Sequence, residues 1–403
     1  MARSLPMEGA TSTRAEPGTL PVLQKGFRPF FLLGSLVAVS MITAWLLVLF
    51  GSFAPRTTFA PVIWHAHEMI FGFAVAIIAG FLLTAVGNWT QRETATGPKL
   101  LLLCALFAAG RVAVTFAAFL PRWAPVAVDA AFLPVLAVVL VAPIIAARNH
   151  RNLVVVAVVL ALAAANLMVH LGSLGVVPGW ERRGLVVGVD VVIMVSSLIA
   201  GRVFPMFTRN ATRQEAIHGS PRLDVATMVG MAAVTALDAS GYQGAPGGVL
   251  FLAMAVLLIA RARHWGARYT LRTPILWVLH VGYAWMCVGM ALRGLALLTT
   301  RVPASLGLHA LTVGAVGSLT LGMISRVSLG HTGRMLEPPR SARVAFVLVS
   351  LAAVSRVLVP LANADWSRPA LFVAGVLFAL AFTLLLVGYT RVLLSARVDG
   401  KAG

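Results

Sequence analysis

Apolar runs of roughly 20 residues recur from residue 30 to residue 393, separated by short polar segments. One such run, as an α-helix, crosses the ~30 Å hydrocarbon core of a bilayer. The pattern predicts twelve spans, at 30–51, 62–87, 99–120, 125–147, 152–175, 184–204, 224–240, 247–262, 273–298, 305–328, 341–362 and 369–393. The alternating segments of ~10 residues that mark a transmembrane barrel are not seen. The expected fold is all-α, a polytopic membrane protein with about twelve transmembrane helices in one bundle. Residues 1–24 are polar, carry Pro and Gly, and contain no apolar signal-peptide core, so a disordered cytoplasmic N-terminal tail is expected. The transmembrane domain then occupies 25–396, and 397–403 form a short C-terminal tail.

Composition agrees with this pattern. The 403 residues are 59% hydrophobic and 11% charged, against about 25% charged in a soluble domain. The two cysteines, Cys104 and Cys287, fall inside predicted spans and suggest neither a disulfide framework nor a Cys-rich metal site.

A formal net charge of +19 would point to nucleic acid in a soluble protein. Here topology accounts for it, and no nucleic-acid partner is expected. With the N-terminus inside, 23 of the 32 Lys and Arg fall on the cytoplasmic side. Six (Arg56, Arg122, Arg182, Arg183, Arg301 and Arg368) fall outside, and Arg111, Arg293 and Arg356 lie within spans. That asymmetry puts both termini in the cytoplasm.

Orientation converts position into depth. His65, His67 and Glu68 begin the second span near the outer face; His170 ends the fifth there, and His309 begins the tenth. His280, in the ninth span, sits deeper toward the cytoplasm. His150, His218, His264 and His331 belong to cytoplasmic loops or helix ends. Asp129, Asp190, Arg293 and Arg356 share the outer half, with Arg111 mid-span. An ionisable side chain in a span costs ~2.5–3.5 kcal/mol on insertion scales, so such residues pair or line a site. Mutual ion pairing and a proton or anion path are both open, with Glu68 and Asp190 the relay candidates.

Imidazole suits copper, iron and zinc, and a histidine commonly holds haem iron. The candidate cofactor ligands are His65, His67, His170, His280 and His309, with His65, His67 and His309 favoured for a metal. His65 and His67 are two apart, about 200° around a regular helix, and cannot both face one metal. His65 and Glu68 share a face, so Glu68 is expected to orient His65 while the other histidine ligates, unless the first turn is irregular. Met69, Met168, Met286 and Met290 are soft copper ligands by type, though gap-filling is their commoner role.

Small residues repeat every four positions along the second span (Gly72, Ala76, Gly80, Thr84) and the tenth (Ala310, Gly314, Ser318, Gly322). Such seams allow close helix approach in lipid and nominate both helices for the centre of the bundle. The second, sixth and tenth spans exit into the polar segments "GNWTQRE", "GRVFPMFTRN" and "SRVSLGHTGR". Their spacing hints at a threefold plan of four helices. The arginines and hydroxyls of the last two segments suit either a phosphate or propionate group or ordinary positive-inside anchoring.

"KGFRPFFLLG" (25–34), "WHAHEMIFGF" (64–73), "AGFLLTAVGNWT" (79–90), "GRVFPMFTRN" (201–210) and "HALTVGAVGSLTLGMISRVSLGHTGR" (309–334) resemble the NnrS family over essentially the whole chain after residue 24. The resemblance implies a multi-pass protein of the bacterial inner membrane that contains haem and copper. It further implies a link to denitrification and to nitric oxide or nitrosative stress. The partners would be the lipid bilayer and a small gaseous ligand such as nitric oxide, with the electron donor unnamed. Whether the protein is a reductase, a sensor or a protective sink is open at this stage. A transporter of a metal, metal complex or small solute is the alternative; it would favour broken helices and inverted repeats, and no two-half repeat is evident. An assembly factor whose buried polar groups only pack is the third reading.

Overall fold

The computed structural model describes residues 19–400. Among them, twelve helices are long and apolar enough to cross a membrane: α1 (Phe27–Leu49), α2 (Pro61–Thr90), α3 (Gly97–Thr115), α4 (Ala124–Ala146), α5 (His150–Ser173), α6 (Trp180–Thr212), α7 (Pro221–Ser240), α8 (Ala245–Ala262), α9 (Pro274–Leu298), α10 (Ala304–His331), α11 (Arg340–Ala362) and α12 (Ala364–Leu394). The chain is an all-α polytopic membrane protein. The expected N-terminal tail falls mostly outside the described residues; its last part holds a short 3-10 turn, Pro21–Leu23.

Proline begins many of these helices. Pro61, Pro98, Pro125, Pro221, Pro246 and Pro274 occupy the first turn of α2, α3, α4, α7, α8 and α9. The missing N–H is not needed there, and the fixed φ suits the helix. Left-handed residues close others: Gln91 (φ 53°) after α2, Arg213 (φ 55°) after α6 and Gly241 (φ 76°) after α7.

Two helix ends differ from the hydropathy pattern. α6 runs to Thr212, well past the expected end at 204, with Pro205 inside it. Apolarity fades at Arg202, but a long arginine can lay its stem on the bundle and reach water with its head, so the helix persists beyond the oily stretch. α3 stops at Thr115, short of the expected 120, and gives way to a 3-10 turn over Ala117–Phe119.

Most neighbours in sequence pack as neighbours in space, with α2 packing on α4 rather than on α3, and α12 packs on α1 to close the ring. Inside it, α6 touches both α2 and α10. The most apolar window of α2 is 83% buried and those of α6 and α10 are 72%, against 22% for α1. The three helices whose polar exits recur every four spans are therefore the most enclosed. Their small residues explain the proximity: a Cβ on Gly80 would lie 2.8 Å from the Phe30 Cβ of α1, and one on Gly314 would lie 2.5 Å from the Trp285 ring of α9.

Three helices widen into π-helix: α2 over Glu68–Ala74, α10 over Ala310–Val316 and α11 over Val354–Leu358. Such turns are rare and concentrate at functional sites. Each shifts the side-chain register beyond it, so the four-residue stripes of α2 and α10 do not continue as one straight seam.

The end of the bundle that carries the termini is stitched by arginines. Arg28, fully buried at the start of α1, donates to the carbonyls of Leu393 (2.9 Å) and Ser395 (2.7 Å) beyond α12. Arg397 donates to the His331 carbonyl at the end of α10 (2.8 Å).

Candidate metal centre

At the end of the bundle away from the termini, four consecutive helices bring their polar residues to one place. α2 supplies His67 and Glu68, α3 Arg111, α4 Asp129, and α5 Asn166 and His170. The four-residue spacing of Asn166 and His170 puts both on one face of α5. α3 and α4 meet closely because position 110 is glycine: a Cβ there would lie 3.0 Å from Asp129 Oδ1.

The centre is dry. His67 and Glu68 are fully buried, and Asp129 and His170 are 2% exposed. Phe59 and Phe71 pack on the His67 ring at centroid distances of 5.0 and 5.1 Å, and Phe59 also covers His170. His67 meets Glu68 Oε1 through Nδ1 (3.0 Å) and Asn166 Oδ1 through Nε2 (2.8 Å). Asn166 donates to Asp129 Oδ2 (2.9 Å), and so does His170 Nε2 (2.8 Å). Arg111 holds Glu68 Oε1 (2.9 Å) with one nitrogen and pairs with Asp129 Oδ1 through the other.

His67, Asp129 and His170 each offer a ligand atom, and these atoms all lie within 4.8 Å of one another. Two imidazoles and a carboxylate form a donor set suited to first-row transition ions such as copper, zinc or iron. The charges suit a cation as well. Glu68 and Asp129 carry two negative charges against one on Arg111. His67 is bonded through both ring nitrogens, and a metal ion at Nε2 would displace the contact to Asn166. A gap of about 10 Å³ between Phe59, Val126 and His170 leaves room for roughly one water-sized ligand beside this set.

His65 and His309 form a separate, half-buried pair. The His65 ring stacks on Trp45 of α1 (4.4 Å, 11°), and its Nδ1 is buried without a hydrogen-bond partner. His309 Nδ1 donates to the Ser305 carbonyl (2.7 Å), an arrangement that fixes the tautomer and presents Nε2 as a lone pair. Electrostatic interaction links His65 to His309, and Arg356 on the π-turn of α11 to both. Arg356 has no carboxylate partner among the described residues.

His280 stands apart from both groups. Its Nε2 meets the Thr208 hydroxyl at 3.0 Å and its ring packs near Phe204, far along α9 from the histidine layer. Asp190 pairs with Arg293 (2.5 Å), which also holds Asp238. Five of the six charges read within spans thus form ion pairs, and Arg356 alone does not.

One geometric expectation is corrected. A regular helix would place Glu68 beneath His65; instead Glu68 bonds the adjacent His67. The π-turn begins at Glu68, so the wheel of a regular helix does not apply from that residue on. Sequence reasoning also missed Asn166 and Asp238. Asn166 carried a signal, a lone amide one turn before His170 in an otherwise apolar span. Asp238 falls within the expected span 224–240 but, at the start of the turn-rich stretch 238–248, was not counted among the charges in spans; it lies in the last turn of α7.

A cavity of about 360 Å³ lies at the opposite end, lined by His218, Arg222, Arg263 and His264 among others. It is roomier than the histidine layer but holds no comparable ligand set, and its arginines are those read as positive-inside anchors.

These features define a polytopic membrane protein with a buried two-histidine, one-carboxylate centre able to chelate a metal ion. The family model of the NnrS protein matches residues 21–397, and the chain belongs to that family. No curated protein matches the chain.

Proposed function

We propose that this is a haem- and copper-binding protein of the bacterial inner membrane that acts in nitric oxide metabolism or nitrosative-stress defence. The observation that carries the reading is the convergence of His67, Asp129 and His170 in a dry pocket, in a chain of this family. His67 Nε2, His170 Nε2 and Asp129 Oδ2 would hold copper. His65 and His309, whose Nε2 atoms make no hydrogen bond among the described residues, would serve haem iron, and Arg356 beside them suits a propionate carboxylate. With the arginine-rich loops in the cytoplasm, both centres face the periplasmic side.

Bound haem and copper would supply affinity for a small gas and one-electron chemistry. The chain's own residues hold the frame. Asn166 fixes the His67 ring and the Asp129 carboxylate together. Glu68 holds the other edge of His67 and is the nearest group able to take its proton. Phe59 and Phe71 keep bulk water out.

Purified full-length protein is expected to show a Soret band and bound copper. Replacing His67 or His170 by Ala should strip copper, and replacing His65 or His309 should strip haem. Neither His280→Ala nor His218→Ala should affect either cofactor. Absence of both cofactors from fully loaded protein would overturn the reading.

A further inference from the structure

The second ion cluster repeats the charge count of the first without its ligands. Arg293 on α9 holds two carboxylates, Asp190 on α6 (2.5 Å) and Asp238 on α7. Asp190 is 1% exposed, Asp238 7% and Arg293 8%. Phe251 of α8 closes the guanidinium face at 4.3 Å. With both acids ionised the cluster would carry one uncompensated negative charge inside the bundle. Around His67 the same surplus meets two imidazoles; here no other titratable side chain is in contact.

What surrounds the cluster leaves one way to balance it. α10 contributes Gly307 against the Arg293 stem, with His309 turned to its own Ser305 carbonyl. α5 also packs on α6, and its His170 is tied to Asp129. Arg183 lies over Gly241 just past α7: a Cβ there would meet its guanidinium carbon at 2.6 Å. That arginine is part of the outer rim and not a partner of Asp190. Asp190 Oδ2 is buried with no donor, and one guanidinium, that of Arg293, holds both carboxyls side by side. Two carboxyls bond one another only through a proton.

We infer that Asp190 and Asp238 form a proton-binding pair that holds one shared proton under Arg293 and exchanges it with outer water through Asp238. The shared proton cancels the surplus charge and satisfies the orphaned oxygen in one step. Exchange runs through Asp238 because it is two residues from the end of α7. Asp190, mid-helix on the central α6, is the inner member and the site's link to the bundle interior. The pair is independent of any bound metal.

The test is infrared spectroscopy of the full-length protein in lipid, with stability followed against pH. At neutral pH the wild type should show a protonated-carboxyl band that shifts on transfer to heavy water. Asp190→Asn and Asp238→Asn should each abolish it, and Asp365→Asn, exposed in the first turn of α12, should leave it unchanged. Because the folded pair keeps a proton that the unfolded chain has lost, stability should fall as pH rises, by up to about tenfold in the unfolding constant per pH unit. Either single Asn variant should remove that slope, while the double variant, leaving Arg293 uncompensated, should be the least stable of the three. A band untouched by both single substitutions would overturn the inference. So would its absence from the wild type, or single variants as unstable as the double. If one single variant fails to fold, the other still decides through the band.

Discussion

Arg111→Met should be among the most damaging single changes in the molecule, and a second substitution should repair much of it. Arg111 balances Glu68 and Asp129, which are 0% and 2% exposed. Surface ion pairs contribute ~0–1 kcal/mol, whereas removing one partner of a buried pair costs ~3–5 kcal/mol because the other charge is stranded. Both anions are buried, so the larger range applies, equivalent to about 10²–10⁴ in the folded-to-unfolded ratio. Adding Glu68→Gln to Arg111→Met removes one of the two carboxylates that the single change strands. The double variant is therefore expected to be more stable than Arg111→Met alone, with a coupling energy in the ~0.5–3 kcal/mol range seen for residues in one network. The assay is thermal unfolding of purified protein in detergent, with the exposed-end Arg301→Met as control. If Arg111→Met melts with the control, or the two losses simply add, the charge-balance argument is wrong.

Other consequences are simpler to check. Gly184→Ala should fail to assemble stably, since its Cβ would lie 2.6 Å from the Ala165 carbonyl oxygen and 2.8 Å from the Val169 nitrogen. Both are backbone atoms of α5 that cannot move alone; Gly330→Ala, whose Cβ would meet one Leu336 methyl at 3.8 Å, should be tolerated in the same melting assay. Asn166→Leu should weaken copper retention without removing a ligand, because the amide bridges His67 and Asp129; outer-shell losses of this type run to ~10–100-fold in metal affinity. Single cysteines at Ser52 and Ser395 should label from opposite sides of the membrane with an impermeant reagent, Ser52 from the periplasm. Labelling of both from one side would refute the twelve-span topology.

The twelve helices were legible because burial in lipid demands long apolar runs, and their ends misled where an arginine stem extended a helix, as at Arg202, or where a 3-10 turn replaced its end, as after Thr115. The site was legible in part. An ionisable group inside a span announces itself, so Glu68, Arg111, Asp129, Asp190 and Arg293 were all visible. Which acid meets which arginine depends on helix rotation, and periodicity in uniformly apolar segments sets rotation poorly. Glu68 shows the limit: a wheel assigns it to His65, and one π-turn gives it to His67. Asp238 hid for a different reason, since its neighbours Ser240, Gly241 and Gly244 read as a turn while the last turn of α7 was still helical.

The stitching of Arg28 to the carbonyls of Leu393 and Ser395 bears on the order in which the protein is built. Arg28 lies on the first of the twelve helices to be made, and these acceptors follow it by 365 and 367 residues. All twelve helices must be synthesised before that latch can close. α1 and α12 are therefore expected to dock late, with the ring held open until α12 has been made. A chain stopped short of residue 393 should then be recognised and degraded as incomplete, even with eleven helices inserted.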